Sequence, residues 1–219
     1  MKIGKIIDLT APMFDGAPTM PLDPQCSISW HSTLETMGYN LSHLKTSTHQ
    51  GTHIDAPRHF YNNGMCVDEI PLERLIVRAV KIDMTWKKPG EAIVPDDLQP
   101  ESVFIEKGCN ILIHTGWDKY FPNKEYFSGF QYISKELADW FVKKQVNIVG
   151  MDIPTPNGKD WKYVHLKMLG CGCLIVEGLT NLGKLPNSEE FTFFALPLKL
   201  QGRDGSPIRA IAILDSVDK

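Results

Sequence analysis

Three histidines and an aspartate, His49, His53, Asp55 and His59, fall within eleven residues of a 219-residue chain that has only seven histidines. Grouped imidazoles and a carboxylate are desolvated together and are stabilised best by a divalent cation or by one another's protons. The cluster therefore reads first as a metal site. An exposed, idle group of loop histidines is the alternative, and four such side chains around one glycine disfavour it.

The spacing narrows the local conformation. On a helix His49 and His53 would share a face, but Gly51, Thr52, Ile54 and Pro57 all oppose a helix. In an extended segment His49, Gly51, His53 and Asp55 point to one side. A straight strand would nevertheless hold the two histidines roughly 13 Å apart, too far to share an ion with ligand bonds of about 2 Å. The chain must bend between them. Gly51 permits the bend, and Pro57 prevents the segment from continuing as a central strand.

Elements able to position this cluster are legible on both sides of it. Short strands are expected at Lys5–Leu9, Ser27–Trp30 and Tyr39–Thr46, with a proline-rich loop between the first two. Such a loop can cover an active site, with Phe14 and Met20 as its apolar substrate contacts. Further strands are expected at Val80–Met84, in the apolar run Cys109–Trp117, at Val146–Gly150 and at Leu174–Val176. Two more close the chain at Phe191–Leu200 and Ile208–Leu214, around the turn Gly202–Gly205. Ser134 is a good N-cap for a helix with Leu137, Trp140 and Phe141 on one face. Lys162–Leu169 forms a second helix, carries His165 and is ended by Gly170. Glu177 stands at the tip of a buried strand, where α/β folds place their chemistry. The fold class is α/β, with residues 1–219 as one mixed-sheet domain.

The composition, 42% hydrophobic and 22% charged with a net charge of -3, is that of a globular protein with one substantial core. It offers no basic footprint for nucleic acid or an anionic membrane, which leaves a small molecule as the expected partner. No signal-peptide core or membrane-length apolar run is present, so the expected setting is cytoplasmic. Five cysteines without a CxxC pair are read as reduced thiols, with Cys171 and Cys173 as buried structural residues.

The run His49-Gln50-Gly51-Thr52-His53-Ile54-Asp55-Ala56-Pro57-Arg58-His59 resembles the H-x-G-T-H-x-D-x-P-x-H signature of the cyclase family of metal-dependent hydrolases. Bacterial kynurenine formamidases and isatin hydrolases belong to that family. The resemblance extends to Ile7-Asp8-Leu9-Thr10, His114-Thr115-Gly116-Trp117, Gly150-Met151-Asp152, Glu177-Gly178-Leu179, Ala195–Lys199 and Gly205–Ala210. It implies the swivelling β/α/β fold and two divalent ions per chain, zinc first and manganese second. One ion would be held by His49, His53, Asp55 and Glu177, the other by Asp55, His165 and Glu177, with His59 as the acid/base. It implies hydrolysis of a small amide, formamide or lactam through a metal-bound hydroxide, most like an arylformamidase acting on N-formylkynurenine in tryptophan catabolism. Alternatives are an isatin-type lactam hydrolase, a metal-dependent cyclase or dehydratase, or a non-catalytic metal- or ligand-binding protein. A homodimer or larger homo-oligomer is also implied. One departure concerns the substrate: kynurenine formamidases place a tryptophan before Pro-Gly-Asp on the N-terminal loop, where this chain has Met20-Pro21-Leu22-Asp23.

Overall fold

The computed structural model describes residues 4–98, 105–187 and 189–215. Strands and helices are numbered in chain order. The strands are β1 (Ile6–Asp8), β2 (Ser27–Ser32), β3 (Leu41–Lys45), β4 (His53–Asp55), β5 (Ile76–Asp83), β6 (Ala92–Ile93), β7 (Asn110–His114), β8 (Tyr132–Ile133), β9 (Ile148–Met151), β10 (Leu174–Glu177), β11 (Glu190–Phe194), β12 (Gly205–Pro207) and β13 (Ile211–Ile213). The helices are α1 (Leu34–Met37), α2 (Lys135–Lys144) and α3 (Trp161–Gly170).

Nine strands form one mixed sheet in the order β1-β13-β11-β5-β7-β9-β10-β4-β12. Its centre, β5-β7-β9-β10, is parallel and flanked on both sides by antiparallel strands. The parallel centre follows from the connections, because α2 links β7 to β9 and α3 links β9 to β10, the crossovers that parallel neighbours require. Ser134 caps α2 by accepting from the Leu137 N–H at 3.1 Å, and Leu137, Ala138 and Phe141 are its buried face.

Alternation along the strands gives the sheet two apolar faces. Val80, Ile82, Ile111, Ile113, Val149 and Ile175 lie with the residues of α2 and α3 in one core cluster. Ile54, Leu112, Ile148, Val176, Phe191 and Phe193 form the core of the other face. Burial of each such side chain is worth about 1.5–3 kcal/mol. The same alternation puts His53, Asp55 and Glu177 on the helix side of the sheet, since Ile54 and Val176 take the other.

Several elements differ from expectation for physical reasons. β11 stops at Phe194 instead of reaching Leu200, because Pro197 has no N–H to donate to a ladder and makes only an isolated bridge to Ile208. β12 is a strand where the sequence suggests only a turn. Gly170 lies inside α3 and Cys171 caps it; a Cβ at position 170 would collide with the Tyr61 hydroxyl, so this glycine serves packing. Cys173 is buried as expected, whereas Cys171, on the turn that leaves α3, is exposed. Apart from the main sheet, and among the described residues, β2 and β3 pair only with each other as a hairpin whose residues are almost all exposed.

Candidate metal centre

Gly51 adopts φ 61, a left-handed conformation that supplies the required bend between His49 and His53. β4 then begins at His53 and lasts three residues before Pro57 opens a 3-10 turn that ends at His59. β10 pairs antiparallel with β4, so Glu177 lies opposite His53 and Ile175 opposite Asp55. His165 projects from α3 onto the same spot. His49, His53, Asp55, His59, His165 and Glu177 thus meet at one place, carried by the continuous stretch 49–59, by α3 and by β10.

Both carboxylates use their two oxygens on different neighbours. Asp55 Oδ1 lies 2.7 Å from His49 Nδ1 and 3.5 Å from His53 Nε2, while its Oδ2 lies 3.7 Å from His165 Nε2. Glu177 divides in the same way, Oε2 lying 3.3 Å from His53 Nε2 and Oε1 3.3 Å from His165 Nε2. Side-chain donor atoms of His53, Asp55 and Glu177 all lie within 4.8 Å of one another, and so do those of His49, Asp55 and His59.

The donor chemistry fits divalent cations. His53 donates its Nδ1–H to the Gly51 carbonyl at 2.8 Å, and His165 donates its Nδ1–H to the Trp161 carbonyl at 2.7 Å. Each ring therefore turns its Nε2 toward the carboxylates, the orientation that metal-binding imidazoles take from their outer partners. Asp55, His53, Glu177 and His165 are buried. Burial favours neutral carboxyl groups, but the imidazoles of His49, His53 and His59 hold Asp55 well below the ordinary carboxylate range. In return burial opposes the charge of His49, yet Asp55 and Asp204 outweigh it and push its pKa up to about 10. His53 and His165 are raised in the same sense, against burial, chiefly by Glu177. A field that binds protons this firmly at buried nitrogens is one that divalent cations can occupy in their place.

In the sequence Asp204 is simply one member of the four-residue turn Gly202–Gly205. The structure brings its Oδ2 to 2.6 Å from His49 Nε2 and 3.5 Å from His59 Nδ1. These two imidazoles hold its carboxyl well below the ordinary range. The available signal was an acid directly before Gly205-Ser206-Pro207, a segment already resembling the family.

The centre lies in a cavity of about 600 Å³ whose remaining wall is largely aromatic and apolar, from Met20, Phe60, Phe121, Tyr126, Phe127 and Trp161. Phe60 stacks on His165 with ring centroids 4.9 Å apart, and His59 lies 3.9 Å from His49 in the same measure. Met20 lines this space from the proline-rich loop, whereas Phe14 lies behind it, edge-on to Phe121 at 6.5 Å. Phe14 thus supports a lining residue instead of joining the lining.

Acids and imidazoles gathered at one end of an aryl-lined cavity, on a mixed α/β sheet, constitute the architecture of a metal-dependent enzyme. The chain belongs to the Putative cyclase family, whose model matches residues 7–157. It is 33% identical over 210 residues to a kynurenine formamidase of Geobacillus thermodenitrificans, a match spanning 93% of this chain and 95% of that protein. A solved structure described as a potential metal-dependent hydrolase with cyclase activity shares 27% identity and a TM-score of 0.81, covering 97% of this chain and 98% of the other. An isatin hydrolase bound to the product analogue thioisatinate superposes with a TM-score of 0.88 over 97% of this chain and 93% of its own, at 23% identity, and so attests the fold. Among the described residues no helix is long and apolar enough to cross a membrane.

Proposed function

We propose that this protein is a metal-dependent hydrolase that cleaves an aryl formamide, amide or lactam, with N-formylkynurenine as the first substrate to test. The observation that carries this reading is the division of Asp55 and Glu177, each turning separate oxygens to different imidazoles. Kinship with kynurenine formamidases supports the substrate class. His49, His53, Asp55 and Glu177 would hold one ion, and Asp55, His165 and Glu177 a second, with zinc the first candidate and manganese the next. Divalent ions bound there supply an acidified water and a polarised carbonyl.

The chain's own residues account for the rest. His59 lines the cavity beside the donor atoms and is the group to take a proton from the attacking water and return it to the leaving nitrogen. Phe60, Trp161 and Met20 offer an aryl ring apolar contact and leave the scissile bond at the polar end.

A homodimer accompanies this reading. The β2–β3 hairpin exposes Trp30, Leu34, Met37, Leu41 and Leu44, with Trp30 at 66%, and a two-stranded hairpin is marginal unless something packs on it. A second copy of the chain would cover it. Five free thiols suit a reducing, cytoplasmic setting.

The test is elemental analysis of protein purified without chelator, with hydrolysis of N-formylkynurenine and isatin assayed before stripping, after stripping and after metal return. About two equivalents of metal with reversible activity is the expected result. Isatin turnover alone would assign the lactam reaction. Bound metal with neither activity would keep the site and move the substrate elsewhere, while absence of metal would remove the reading of His49, His53 and Asp55.

A further inference from the structure

We propose that Asp204 is a positioning residue that couples the metal-ligand histidine His49 to the acid/base His59 through a single carboxylate oxygen. This assignment rests on the metal-centred hydrolase reading for the roles of the two histidines, and on geometry for Asp204 itself.

The two imidazoles lie against one another, with ring centroids 3.9 Å apart and planes tilted by 32°. Asp204 Oδ2 faces both, at 2.6 Å from His49 Nε2 and 3.5 Å from His59 Nδ1. On the far side of the His49 ring, Nδ1 is the nitrogen that meets Asp55. An anion at Nε2 selects the tautomer with Nε2–H pointing outward, which leaves the Nδ1 lone pair for an ion at Asp55. Acting on His59, the same oxygen selects Nδ1–H, so Nε2 is left to accept the proton during turnover. One acid thereby orders both rings.

The position is built into the fold. β12 pairs antiparallel with β4, Gly205 lying opposite Asp55, and the Asp204 carbonyl accepts the Ala56 N–H at 2.9 Å. A Cβ at Gly205 would fall 2.7 Å from the Ile54 carbonyl oxygen and 2.9 Å from His49 Cε1. Only glycine lets the strand bring Asp204 this close to the imidazole. The Thr48 hydroxyl, 3.3 Å from both Asp204 oxygens, donates from a third direction.

The experiment uses full-length zinc-loaded protein labelled with ¹⁵N-histidine, with tautomers read from long-range ¹H–¹⁵N spectra and zinc affinity from competition with a chelator. Wild type is expected to show Nε2–H at His49 and Nδ1–H at His59. Asp204→Ala is expected to abolish the Nδ1–H preference of His59 and to weaken zinc binding by about 10–100-fold. Asp204→Asn, which keeps an acceptor but no charge, should restore the tautomer and only part of the affinity. An Asp204→Ala protein with either the wild-type His59 tautomer or wild-type zinc affinity overturns the coupling. If the alanine variant does not fold, undiminished zinc affinity in Asp204→Asn overturns it equally. Failure of wild type to hydrolyse any aryl formamide, amide or lactam would remove the preceding reading of the reaction, while the tautomer and affinity data would still decide the role of Asp204.

Discussion

Glu177 and His53 face each other in register on adjacent antiparallel strands, 3.3 Å apart at Oε2 and Nε2, although 124 positions separate them in the chain. This cross-strand pair joins the histidine cluster, with its one carboxylate at Asp55, to a second. Glu177→Gln keeps the shape and removes the charge. It is expected to lower metal affinity by more than the ~10–100-fold that loss of an outer partner costs. Metal analysis after dialysis checks this, and a variant that retains wild-type metal would remove Glu177 from the ligand set.

His59 should separate binding from chemistry. His59→Ala is expected to keep the metal and most of the substrate affinity while kcat falls by about 10²–10⁴-fold, the usual contribution of a positioned acid/base. Parallel metal analysis and steady-state kinetics make the comparison. Loss of metal in this variant would make His59 a ligand, a role that its proximity to His49 and Asp55 also permits.

Stripping the metal should expose a dependence of stability on pH. The folded-state pKa of His49 is pushed up to about 10 from an ordinary 6.5, so its contribution is complete below the lower value and is lost as pH rises through the higher. His53 and His165 are raised and act in the same direction. Asp55 and Asp204 are depressed, and their contribution disappears as pH falls below the ordinary carboxylate range. Stripped protein is therefore expected to have its highest Tm between the ordinary carboxylate range and pH 6.5 and to lose stability from there toward pH 10, more steeply than the metal-loaded form. Thermal melts of both forms between pH 5 and 10 check this; a flat profile for stripped protein above pH 7 would contradict it.

Gly178 joins the two turns that carry the ligands. It has φ 65, a Cβ there would fall 2.6 Å from the Gly51 carbonyl oxygen, and its own carbonyl accepts the Thr52 hydroxyl. Gly178→Ala should destabilise the fold by about 1–3 kcal/mol and reduce metal retention, because the Gly51 bend must move. Gly202→Ala is the control: φ is 70 there too, but nothing lies within 4 Å of the added Cβ. It should cost about 1 kcal/mol and leave the metal in place.

What the sequence disclosed and what it concealed divide along the range of the interactions. The bend at Gly51, the stop at Pro57 and the Ser134 cap depend on near neighbours, and each was readable from residue types alone. The resemblance, not periodicity, brought His165 and Glu177 to the cluster. Asp204 was missed because β12 is Gly-Ser-Pro, a strand with almost no strand propensity, held only by its pairing with β4. An apolar residue on a covering loop can point either way, and the loop seats Phe14 against Phe121 and not in the cavity lining.

The antiparallel seam of β4 between β10 and β12 also determines when the site can exist. The segment richest in donors, Asp55 included, leaves the ribosome early, but Glu177 and Asp204 follow only after most of the chain. Bringing such distant partners together is slow compared with forming local turns. His49, His53, Asp55 and His59 alone offer an incoming ion a loose site with a single carboxylate, and the tight one forms only once the sheet has closed around them. Metal capture is in this view the last step in the protein's maturation, and the metal supply of the cell meets a finished fold.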